Sequence, residues 1–72
     1  MKHYYTTGNN GGGVRVYAFR NIKSRDHFVA WATTYDQRSA ITRDQALKYS
    51  NTAIILGGVD YPDKEISIKG TK

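Results

Sequence analysis

Val14-Arg15-Val16-Tyr17-Ala18-Phe19-Arg20 is the stretch on which the fold turns. Its residues are mostly β-branched, aromatic or small, and they alternate. In a strand, Val14, Val16 and Ala18 fall on one face, with Arg15, Tyr17 and Phe19 on the other. The first set reads as core. The second places two aromatic rings beside a cation, an unusual surface to leave in water, and marks a candidate binding face.

Upstream, His3-Tyr4-Tyr5-Thr6-Thr7 predicts a further short strand. Between the two runs lies Gly8-Asn9-Asn10-Gly11-Gly12-Gly13, a Gly-rich loop that either closes a hairpin or leaves the N-terminus loose.

Downstream, Ser24 is a suitable helix N-cap and Asp26 suits the first turn. From Arg25 to Tyr35, the residues Phe28, Trp31, Ala32 and Tyr35 recur at i, i+3, i+4 and i+7, one stripe of an amphipathic helix. Val29, Trp31, Thr33 and Tyr35 also alternate as a strand would; the cap and the four-point stripe decide for a helix. Asp36-Gln37-Arg38-Ser39 reads as a polar turn and Ala40-Ile41 as a brief extended stretch. Thr42-Arg43-Asp44-Gln45 matches a capping box, with Ile41 and Ala46 placed as a hydrophobic staple. This opens a short helix to about Tyr49. Thr52 to Leu56 reads as a buried strand broken by Gly57-Gly58. Tyr61-Pro62-Asp63-Lys64 predicts a type I turn. Glu65 to Lys69 predicts a last strand with Ile66 and Ile68 inward, and residues 70–72 fray.

The expected fold is therefore α+β, in the order β-β-α-α-β-β. A small, mostly antiparallel sheet would carry one longer and one short helix on one face. Phe28, Trp31, Tyr35, Leu47, Ile55 and Ile66 would lie between the layers, leaving the Arg15/Tyr17/Phe19 face open.

Composition sets the frame. The 72 residues make a single domain, 1–72. A chain of this size buries only about 60% of its unfolded surface and is marginally stable unless stapled. With no cysteine, neither a disulfide nor a thiolate zinc site can serve, so self-association or docking on a partner is the expected staple. Net charge is +5, favouring polyanions or an acidic protein face, although no run of three basic residues occurs. The aliphatic run Ala53-Ile54-Ile55-Leu56 is far short of the about 20 apolar residues a membrane helix needs, and no secretory signal is visible. A cytoplasmic location is the expectation.

Little in the chain suggests catalysis. His27 is the only plausible general base, and its place in the first turn of a helix is an ordinary one for a surface histidine. Asp60, Asp63 and Glu65 cluster at a turn, but they lack the register of a calcium loop and Lys64 sits among them. The Gly-rich loop is followed by a strand rather than a helix, and no Gly-Lys-Ser/Thr follows it, so it is not a phosphate cradle. No enzyme activity, cofactor or metal is expected.

Two resemblances bear on partners. Arg15-Val16-Tyr17-Ala18-Phe19 resembles the central RNA-binding strand of the RNA recognition motif, in which sheet-face aromatics stack bases. Val16 stands where that family has glycine, and the chain ahead of it is too short for the family's first strand and helix. Arg25-Asp26-His27-Phe28-Val29 and Ile41-Thr42-Arg43-Asp44-Gln45-Ala46 resemble, in style, segments of small bacteriophage and mobile-element proteins, anti-CRISPR inhibitors among them. That resemblance implies a non-enzymatic protein that docks on a host protein or ribonucleoprotein complex and blocks it. The expected contact residues are Arg15, Tyr17 and Phe19, ringed by Arg20, Arg25, Arg38 and Arg43. The alternatives are a weakly specific module binding RNA or single-stranded DNA through the same face, and a self-assembling structural module, for instance a homodimer.

Overall fold

The computed structural model describes residues 3–9, 12–34, 36–56 and 64–69. The expectations for Tyr35, for the Gly57-Gly58 break, for Asp60 and Asp63, for most of the Tyr61–Lys64 turn and for residues 70–72 lie outside the described residues. In chain order the elements are β1 (Tyr4–Asn9), β2 (Val14–Phe19), α1 (Ile22–Ala30), β3 (Gln37–Ile41), α2 (Arg43–Tyr49), β4 (Thr52–Ile55) and β5 (Lys64–Ser67). The α+β class holds. No helix among the described residues is long and apolar enough to cross a membrane.

The five strands form one sheet in the order β3-β1-β2-β4-β5. β1 and β2 make a hairpin, pairing from Asn9 with Val14 to Tyr4 with Phe19. Gly13, in the connection, holds a φ of 107°, the left-handed region where a side chain would be strained. β1 also pairs antiparallel with β3, and β4 with β5. β2 and β4 run parallel, with Tyr17 beside Ile54 and Ala18 beside Ile55. The sheet is thus mixed, not mostly antiparallel, because the chain between β2 and β4 crosses over through α1, β3 and α2.

The two helices lie on opposite faces, which corrects the one-sided packing expected from the sequence. α2 lies against β1 and β2 on the Val16/Ala18 side, where Tyr5, Val16, Ala18, Ala46, Ala53, Ile55 and Ile68 form the core, flanked by Ile41, Leu47 and Ile66. α1 crosses β1, β2 and β3 on the other side, where Phe28 packs on Tyr17 and Phe19 with ring centroids 5.2 and 5.0 Å apart. The cause is visible in β2 itself: apolar side chains on both of its faces call for a cover on both.

Local differences have equally local causes. α1 is capped by Asn21, whose Oδ1 accepts from the Ser24 amide at 2.8 Å, so the helix starts at Ile22 and Ser24 lies inside it. It ends at Ala30, where Thr33 and Asp36 close a turn: the Thr33 amide donates to the Asp36 carbonyl, and the Asp36 amide to Thr33 Oγ1. Trp31 becomes the C-cap and stands 66% exposed instead of entering the core. Gln37 and Arg38 belong to a strand and not a turn. The Thr42 capping box forms as expected, with Thr42 Oγ1 accepting from the Gln45 amide and Gln45 Oε1 from the Thr42 amide.

Candidate docking cleft beside helix α1

The sheet is five strands wide, at about 4.8 Å per strand, whereas a helix with its side chains is about 10 Å across. Among the described residues, one helix over β1, β2 and β3 therefore leaves the β4 side of that face without a helix. The step between them is a shallow cleft of about 600 Å³. Phe19 and Phe28 form its apolar base and Leu56 lines it from the end of β4. Lys23, His27 and Trp31 follow one another along α1 at four-residue spacing and make its helical wall. His27 and Trp31 are in ring contact, centroids 5.8 Å apart. Lys23 supplies positive charge, Arg38 adds a guanidinium already paired with Asp36, and among the described residues no carboxylate lines the cleft.

Arg38 also builds the site. Its Cζ lies 3.9 Å from the centre of the Phe28 ring, its Nη1 donates to the Phe28 carbonyl at 2.9 Å, and its Nε and Nη2 donate to Asp36 Oδ2. Phe28 is in the last turn of α1, where carbonyls lack helical partners; Trp31 and Ala32 amides serve His27 and Val29, and Arg38 serves Phe28.

Arg15, Tyr17 and Phe19, expected on an open sheet face, and the four arginines expected around it are not brought together into one patch. Phe19 is 6% exposed and Tyr17 half-buried beneath α1, so neither ring is free to stack a base. Arg15 is exposed at the far end of β2, paired across the sheet with Gly8. Arg20 is exposed at the other end of the strand. Arg25 bonds Asp26 at 2.9 Å and lies 5.8 Å from the Tyr4 ring centre. Arg43 donates to the carbonyls of Ile68 and Lys69 at 3.0 and 3.2 Å and helps hold the end of β5. Of the seven, Phe19 and Arg38 line the cleft.

Sequence reasoning missed Lys23, His27 and Trp31 as a group. A helix begun at the Asn21 cap puts all three, at i, i+4 and i+8, on one stripe. Among the described residues, two titrations are perturbed elsewhere. His3 is pushed down, first by burial and then by the positive N-terminus and Arg20; the Tyr5 hydroxyl is pushed up by burial, partly offset by Arg43. Among the described residues no cluster of His, Asp and Glu could hold a metal ion. No protein family, no curated protein and no solved structure matches the chain.

Proposed function

We propose that this chain is a small, basic, non-enzymatic binding protein that docks on a larger host macromolecule through the α1 cleft and blocks it. The observation that carries the proposal is Trp31, two-thirds exposed at the rim of a cleft lined by Lys23, His27 and Arg38. Leaving an indole in water forgoes the burial a fold of this size needs, whereas tryptophan beside arginine is the composition of interface hot spots. The lack of a lining carboxylate among the described residues and the net charge of +5 favour an acidic or phosphate-bearing partner face. A bacterial host complex, with a CRISPR-type ribonucleoprotein the sharpest version, is suggested by the likeness of residues 25–29 and 41–46 to small phage proteins.

The test is capture from a bacterial lysate with the full chain, Trp31→Ala and Lys23→Glu, each with and without nuclease. A defined partner held by the wild type, lost with either variant and kept after nuclease supports docking on protein. A species removed by nuclease turns the assignment to direct nucleic-acid binding. Equal capture by the wild type and Trp31→Ala removes the cleft from the account.

A further inference from the structure

The outer edge of β3 offers a surface distinct from the cleft. β3 closes one side of the sheet, and among the described residues no strand pairs with its outer edge. Edge strands normally carry devices that deter pairing: charge, proline, a bulge or extreme shortness. β5, at the opposite edge, is four residues long and carries Lys64 and Glu65, both exposed. β3 is five residues, Gln37-Arg38-Ser39-Ala40-Ile41, with no proline, and its register with β1 runs unbroken from Gln37 to Ile41. Its one charge, Arg38, is drawn inward onto Phe28 and neutralised by Asp36. Gln37, Ser39 and Ala40 are exposed, small or uncharged.

We infer that β3 is a homodimerisation edge, pairing antiparallel with β3 of a second copy to continue the sheet. The occupant is a second copy because the strand is complementary to itself. A two-fold axis at Ser39 sets Ser39 against its own mate, Arg38 against Ala40 and Gln37 against Ile41, with no like charges opposed. Pairing would give the unshared backbone donors and acceptors of β3 partners. It would also supply a staple that a cysteine-free chain of 72 residues has no disulfide to provide. The inference is independent of the docking cleft and fails or stands separately from it.

Sedimentation equilibrium of the full chain from micromolar to millimolar concentration tests it. The mass should rise from monomer to dimer, and raising the salt should strengthen association, since two copies of charge +5 repel. That is the reverse of the salt response of docking on a polyanion. Ser39→Lys, which sets like charges face to face across the axis, should weaken association by about tenfold or more, while Trp31→Ala leaves it unchanged. Amide exchange of the wild type supplies a readout that needs no variant to fold: protection within residues 37–41 should grow with protein concentration. A monomeric mass throughout, a dimer indifferent to Ser39→Lys, one lost with Trp31→Ala, or exchange in β3 independent of concentration would each overturn the inference.

Discussion

Arg38 holds Phe28 twice, stacking its guanidinium 3.9 Å from the ring centre and donating from Nη1 to that residue's own carbonyl. One side chain on an edge strand thus fixes both the packing face and the last turn of α1. Arg38→Ala is expected to cost about 2 kcal/mol, combining a cation–π contact with a charge-assisted hydrogen bond. Arg38→Lys should recover only part of that, because a single ammonium cannot reach ring, carbonyl and Asp36 together. Urea unfolding of the three proteins measures both. A loss below about 0.5 kcal/mol for the alanine variant, the range of an ordinary surface substitution, contradicts this role.

Gly8 sits under Tyr17. A Cβ built at Gly8 would stand 2.5 Å from Tyr17 Cε2, closer than carbon atoms approach, so the ring covers the glycine directly. Gly8→Ala should therefore destabilise by about 1–3 kcal/mol through overpacking. In a Tyr17→Ala background the same change should turn neutral or favourable by about 0.5–1 kcal/mol, the usual advantage of alanine over glycine in a strand. A double-mutant cycle reads the coupling; additive effects would mean the ring moves aside freely.

Thr6 is fully buried opposite Tyr17, and its hydroxyl has no hydrogen-bond partner among the described residues. Removing a buried, unsatisfied hydroxyl while keeping the branched shape should help. Thr6→Val is expected to raise stability by about 1 kcal/mol, seen as a higher denaturation midpoint at unchanged slope. A lower midpoint would show that the hydroxyl is satisfied in solution.

His3 supplies a pH dependence. Its Nδ1 is buried without a partner among the described residues, and burial holds its pKa below the ordinary value of 6.5. The unfolded chain then binds the proton more readily than the fold does. The histidine's contribution is present above pH ~6.5 and is lost as the pH falls through the unfolded and then the folded pKa. Stability measured from neutral to mildly acidic pH should decline more steeply for the wild type than for His3→Asn. Parallel curves would contradict the assignment.

Much of this architecture is legible in the sequence, and the misreadings have physical causes. The alternation of β2 and the Thr42-x-x-Gln45 box are local signals whose energetics are local, so both appear where they are expected. Asn21 and Ser24 are comparable caps in sequence, and the structure uses the first. The turn closed by Thr33 and Asp36 ends α1 at Ala30 and leaves Trp31 at the rim instead of in the core. β3 was hidden because an edge strand tolerates polar residues, and the stem and guanidinium of Arg38 take the place of an apolar side chain over Phe28. The parallel pairing of β2 with β4 has no local signature. The opposed helices are implicit in β2, whose two apolar faces each call for a cover.

The central claim is that Trp31 stands open in a cationic cleft. Because it is the only tryptophan, collisional quenching of its fluorescence by iodide and by caesium at matched ionic strength tests that claim without a known partner. The account predicts red-shifted, water-exposed emission, quenched more by the anion than by the cation, with the difference shrinking in Lys23→Glu. Blue-shifted emission that neither ion quenches, or preferential quenching by caesium, would contradict it.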